Sequence, residues 1–188
     1  MSKTIALNGK FLIAMPSLSE SEFEGSVIYL LEHNETGSFG LIVNHPLDMT
    51  EGEVIASLNA DFDTSLYNKP AFNGGPVEPQ RGFIIHPAAT DKHWQGQAQF
   101  EHGITVTTSS DILTAMANGE NIRHYLIALG YSGWEQQQLE DEIQANNWLV
   151  CDIAPQKVFS TAWHQRLELC LKHIGVRYEQ LSLSVGHA

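Results

Sequence analysis

The chain holds 188 residues, 43% of them hydrophobic, enough for a full core without a metal or a disulfide staple. A formal net charge of −12, from 22 acidic against 10 basic side chains, opposes nucleic-acid phosphates at long range. The arginines Arg81, Arg123, Arg166 and Arg177 are scattered, which argues against direct nucleic-acid binding.

Cys151 and Cys170 stand in apolar runs outside any CxxC pair, so both read as buried small hydrophobes rather than a redox or disulfide pair. No apolar stretch has the length of a membrane span, and Met1–Lys10 lacks the pattern of a secretory signal. A cytoplasmic location is expected.

Taken in chain order, Phe11–Met15 reads as a short buried strand closed by Pro16. A polar loop precedes Ser26–His33, a β-prone run. Asn34-Glu35-Thr36-Gly37 supplies turn chemistry, and Phe39–Asn44 resumes as a strand, so the pair reads as an antiparallel hairpin. Thr50 and Glu53 form a capping box, and Val54, Ile55 and Leu58 give the helix that follows its apolar face. Asp61–Lys69 is a loop, and Asn73-Gly74-Gly75-Pro76 a turn. Gly82–His86 is a strand ended by Pro87.

Ile104–Thr108 is a β-branched strand that runs into Ser109-Ser110-Asp111, the cap of a helix stopped at Gly119. Tyr125–Leu129 is an apolar strand ending at Gly130. A helix is expected near Gln136–Ala145 and a strand at Trp148–Ile153. Trp163, Leu167, Cys170, Leu171 and Ile174 repeat at helical spacing, with Ser160 as the cap and Gly175 as the stop. The count is about seven strands and four helices. It lacks a strict βαβ rhythm, so the expected class is α+β, a mixed and largely antiparallel sheet with packed helices. No linker or repeat divides the chain, and one domain over residues 1–188 is expected.

Several of these segments, in order, resemble the bacterial AlgH family, also called YqgE. They include Gly9-Lys10-Phe11-Leu12-Ile13-Ala14-Met15-Pro16, Glu32-His33-Asn34 and Gly40-Leu41-Ile42-Val43-Asn44. Gly74-Gly75-Pro76-Val77, Arg81-Gly82-Phe83, Leu129-Gly130-Tyr131-Ser132-Gly133-Trp134 and Asn147-Trp148-Leu149 continue the match. His45 departs from the family pattern, which commonly has an arginine or lysine there, and Gln137 stands where glycine is frequent. The resemblance implies an α+β fold, a cytosolic protein and an association with transcriptional regulation. It carries over no catalytic residues.

No Walker loop, GxGxxG, HExxH, GxSxG or zinc-type spacing is present, and no metal or cofactor is expected. The Asn73–Pro76 turn lacks a following Lys-Ser/Thr, and Pro76 has no N–H to offer a phosphate. Nine histidines are the most chemically suggestive feature, His187 the last of them. His33, His45 and His86 fall at expected strand ends beside Asn34 and Asn44. If those ends converge, they form with Gly74, Gly75 and Arg81 one polar cleft for a ligand, or a histidine base beside a carboxylate such as Glu32. Ser109-Ser110-Asp111 reads as a cap rather than a nucleophile, Trp134 as a core anchor, and Glu140-Asp141-Glu142 as a solvated acidic face.

Two function classes follow. One is a non-catalytic binding or regulatory protein acting on a protein or small-molecule partner, with any transcriptional effect indirect. The other is a small-molecule hydrolase or transferase using a strand-end histidine. Whether the chain is an enzyme stays open.

Overall fold

In strand β1 (Phe11–Ala14), Phe11 and Ile13 pack to one face while Leu12 and Ala14 pack to the other. That period of two organises the molecule. The computed structural model describes residues 6–58, 62–88 and 92–183. Met1–Ile5, Asp61 and His187 lie outside them.

Strands β2 (Val27–Asn34) and β3 (Gly37–Ile42) form the expected hairpin. Beyond it come β4 (Pro46–Thr50), β5 (Pro70–Asn73), β6 (Val77–Pro87), β7 (Gln97–Gln99), β8 (Ile104–Thr107), β9 (Leu126–Glu135) and β10 (Trp148–Cys151). The sheet runs β10-β1-β2-β3-β9-β6-β8-β7, with β5 joined to β9 and β4 to β5. Among the described residues, only the β5–β9 pairing is parallel. The helices are α1 (Glu51–Ala56), α2 (Asp111–Ala117), α3 (Gln138–Gln144), α4 (Pro155–Phe159), α5 (Arg166–His173) and α6 (Tyr178–Leu183).

Phe11, Tyr29, Leu41, Phe83 and Val106 present one sheet face to Val158, Cys170 and Leu171 of the C-terminal helices. On the other face, Leu12, Ile28 and Ile42 meet Leu139 of α3, while Ile84 and Ile127 meet Ile55 of α1 and Ile112 of α2. Each of these fully buried side chains contributes about 1.5–3 kcal/mol relative to exposure. Both cysteines are buried thiols.

The α+β class and the largely antiparallel sheet are as expected; the strand count is higher, because β4, β5 and β7 are short and carry little apolar alternation. Strand β9 also does not stop at Gly130. It continues to Glu135, with Gly130 at φ 73 opposite a wide bulge in β6, where Val77 pairs with Tyr131 and Gly82 with Leu129.

The capping box is present: Glu53 N donates to Thr50 Oγ1 at 3.2 Å, and Thr50 N donates to Glu53 Oε2 at 2.7 Å. Ser110 is the N-cap of α2, but its side chain makes no capping bond. Asp111 accepts instead from Ile112 N at 2.9 Å, and its other oxygen ties the helix start to Gln95 N at 2.8 Å. The expected C-terminal helix is a single 3-10 turn (Trp163–Gln165) followed by α5, and Ser160, expected as its cap, instead closes the preceding α4.

A second bulge, in β2, positions a candidate site. Leu30 pairs with Gly40 and Glu32 with Phe39, so Leu31 is an extra residue. The insertion reverses the alternation downstream and turns His33 onto the face that α3 covers.

Candidate functional site

The strand ends do not converge. Ile28 pairs with Ile42 and Asn34 with Gly37, so His33 and His45 stand at opposite ends of the β2–β3 hairpin. The length between them is roughly 25 Å at about 3.3 Å per residue. His86 pairs with Thr105 beside Leu126, the end of β9 away from the hairpin turn. It is also three strands from His45, roughly 14 Å at about 4.8 Å per strand. The expectation of one polar cleft is therefore corrected: antiparallel pairing sends alternate strand ends to opposite edges of the sheet.

Most of the candidates also have structural partners where they stand. Asn34 accepts from Thr36 N at 2.8 Å and donates to Glu32 at 2.5 Å, closing the hairpin turn. Asn44 accepts from Val27 N at 2.7 Å and donates to Gly25 O at 2.9 Å, fixing the entry to β2. His45 is half-buried, and burial holds its imidazole below the usual range against a bond to the backbone of Glu24. Gly74 and Gly75 let two backbones touch: a Cβ at Gly74 would lie 2.2 Å from Gly130 O, and one at Gly75 would lie 2.3 Å from the Tyr131 carbonyl. His86 donates from Nδ1 to Pro87 O at 2.9 Å, which leaves Nε2 to accept from the Thr107 hydroxyl at 2.9 Å. Burial lowers its affinity for a second proton.

His33 is different. Its ring is buried, Nδ1 lies 2.8 Å from Ser38 Oγ, and Nε2 faces Glu140 Oε1 at 3.5 Å without a hydrogen bond. A carboxylate only accepts, so the ring proton belongs on Nε2 and Nδ1 receives the Ser38 hydroxyl. Glu140 thus leaves the solvated face assigned to it from sequence. Glu142 does the same, accepting from the indoles of Trp134 at 2.9 Å and Trp148 at 2.7 Å.

Arg81 belongs to a separate feature that sequence reading missed. Phe39, Phe83 and Tyr131 form a triangle of rings with centroids 5.1 to 5.9 Å apart, and the Arg81 guanidinium stands 5.3 Å from the centre of the Phe83 ring. With Phe100, Val106 and Ala98 they line a groove of about 440 Å³. That volume falls within the range of small-molecule sites. Arg81 also pairs with Glu78 at 2.8 Å, both side chains about half exposed (52%). The sequence signal is the shared period of Arg81 and Phe83, but a strand that stops at Gly130 leaves Tyr131 out.

The fold and site together define an α+β protein built on one mixed sheet with helices on both faces. The chain belongs to the AlgH-like family, whose model, DUF179, matches residues 11–179. A UPF0301 protein of Vibrio atlanticus is 40% identical over 187 residues, covering 97% of this chain and 99% of the relative. One from Legionella pneumophila is 41% identical over 184 residues, with 97% of each chain covered. The solution structure of the AlgH protein from Pseudomonas aeruginosa is similar with a TM-score of 0.77 and 36% identity, covering 100% of this chain and 99% of that one. A Corynebacterium diphtheriae crystal structure at 19% identity and a TM-score of 0.69 shares the fold. Among the described residues, no helix is long and apolar enough to cross a membrane.

Proposed function

We propose that this is a cytosolic binding protein without chemistry of its own, and that its ligand surface is the groove between Phe39, Tyr131 and Arg81. The observation that carries the reading is the groove itself, which sets rigid rings beside a half-exposed cation. It is supported by the structural roles of Asn34, Asn44, Gly74, Gly75 and His86, which hold turns and strands together. A larger hollow of about 920 Å³ between α5 and α6 mixes charged side chains such as Glu168 and Lys172 with Leu167, Leu171 and Val176, and has no comparable cluster of rings. Any influence on transcription then runs through a ligand or protein partner, since a net charge of −12 repels DNA. Native mass spectrometry of protein incubated with a cell metabolite extract tests this reading. A retained small-molecule adduct, lost in Tyr131→Ala, is expected; the absence of any adduct would remove the binding role.

A second reading rests on the Ser38–His33–Glu140 chain, which orders a hydroxyl, an imidazole and a carboxylate as a hydrolase or transferase would. Ser38 also lines a small hollow of about 210 Å³ with Glu32, Asn34 and Trp134. Its test is an ester and thioester panel on which Ser38→Ala and His33→Ala each abolish turnover. Equal rates in wild type and both variants would end it.

A further inference from the structure

Resting on the groove reading, we propose that the groove selects a flat aromatic ligand carrying a single anionic group. Phe83 is buried as the floor, and Phe39 and Tyr131 are half-buried. Each ring packs on the other two, so little side-chain entropy remains to be lost when a fourth ring enters. Beyond Phe83 the lining continues along β8 and β7 with the small or slim Val106, Ala98 and Gly96, bounded by Thr108 and Phe100, which leaves width for a planar group.

Arg81 fixes the charge. It is the only charged residue among those lining the groove, and its guanidinium is held over the Phe83 ring. A planar guanidinium meets a carboxylate, sulfonate or phosphate through two parallel N–H bonds. Its present partner, Glu78, forms a half-exposed surface pair of the kind that contributes little in water, so an incoming anion displaces it at little cost.

The backbone is arranged to put Arg81 there. Residues 78–81 bulge out opposite Gly130 alone, with Glu78 at φ 47 and Gly130 at φ 73. A Cβ at Gly130 would lie 2.4 Å from Gly75 O, so the bulge and the glycine contact are one device. The remaining surface sets the charge limit: an overall charge of −12 repels a polyanion, whereas one anionic group needs only the local field of Arg81.

The test compares anilinonaphthalene sulfonate with neutral phenyl-naphthylamine, which shares its ring system without the sulfonate, by fluorescence titration of the full chain. Arg81→Gln is expected to weaken the sulfonate about tenfold or more and the neutral dye less than about twofold, since a charged hydrogen bond contributes about 1.5–3 kcal/mol. Glu78→Gln is expected to tighten the sulfonate alone, and Tyr131→Ala to weaken both dyes. If Tyr131→Ala weakens both dyes but Arg81→Gln treats them alike, the groove stands and the anion selection is overturned. If neither dye binds, or Tyr131→Ala affects neither, the groove reading falls as well. Should a variant not fold, backbone amide shift mapping on wild-type protein decides the site: sulfonate-induced shifts centred on Arg81, Phe83 and Tyr131 support it, and shifts elsewhere overturn it.

Discussion

The Nε2 of His33 stands 3.5 Å from a carboxylate oxygen of Glu140, and this contact joins the β2–β3 hairpin to helix α3. The other ring nitrogen holds the Ser38 hydroxyl at 2.8 Å, so one imidazole ties two strands and a helix. His33→Leu leaves the buried Ser38 hydroxyl without its partner. Stability in urea should fall by about 1–3 kcal/mol, the cost of an unsatisfied buried polar group. Adding Ser38→Ala should recover part of that loss, because removing both partners is nearly neutral. A single variant as stable as wild type would mean that the contacts hold nothing.

Gln137 is the N-cap of α3 with φ 66, a left-handed conformation that costs a residue with a Cβ about 1–2 kcal/mol. Glycine is frequent at this place in the family pattern, and the backbone explains why. Gln137→Gly should raise the unfolding free energy by about 0.5–1 kcal/mol, the relief being partly offset by the freer unfolded chain. Gln138→Gly, one residue into the helix, should lower it. Chemical denaturation of the two variants checks the opposite signs.

Local chemistry was legible in the sequence where it acts over a few residues. The Thr50–Glu53 box, the Asn34 turn and the buried apolar runs of β1 and β2 all appear as their side chains predict. Register was not. Nothing in Leu30-Leu31-Glu32 marks Leu31 as an extra residue, because a bulge is defined by the partner strand. That one residue decides whether His33 meets α3 or the opposite face. Gly130 reads as a strand end for a similar reason: positive φ is the usual mark of a turn, yet here it lets β9 continue past the β6 bulge. The Arg81 groove was hidden with it, since Tyr131 lies just beyond that glycine. The expected gathering of His33, His45 and His86 failed on topology, which single-strand patterns do not contain.

Arg166 is buried and, with no ion pair to a carboxylate among the described residues, donates to the backbone carbonyls of Val43, Thr161 and Phe159. Burial pushes its guanidinium down to about 10, still charged at neutral pH. The fork therefore ties the end of β3 to the α4–α5 junction. Arg166→Lys keeps a charge but not the fork, and should cost about 2 kcal/mol; Arg166→Met frees all three carbonyls and should cost about 3 kcal/mol or more. Thermal melts should rank wild type above Lys above Met. A lysine variant equal to wild type would show that charge alone suffices.

Glu51, only 2% exposed, accepts a 2.6 Å hydrogen bond from the Tyr125 hydroxyl. Burial pushes its carboxyl above the usual range, against the opposing pulls of Tyr125 and Lys69. The folded state thus binds this proton more tightly than the unfolded chain does. Its contribution to stability is greatest in acid and declines as pH rises from the ordinary glutamate range through the raised folded value. Glu51→Gln keeps an acceptor for Tyr125 and removes the charge, so it should be more stable than wild type at about pH 8 and lose that advantage toward about pH 4. Tyr125→Phe takes away the donor and should show the reverse emphasis. Its deficit, about 1.5–3 kcal/mol for a hydrogen bond to a charged group, should be largest where the carboxyl is ionised. Urea unfolding across that pH range separates the two. Parallel curves for wild type and Glu51→Gln would mean that the carboxyl titrates alike in the folded and unfolded chain, and that its burial carries no pH-dependent cost.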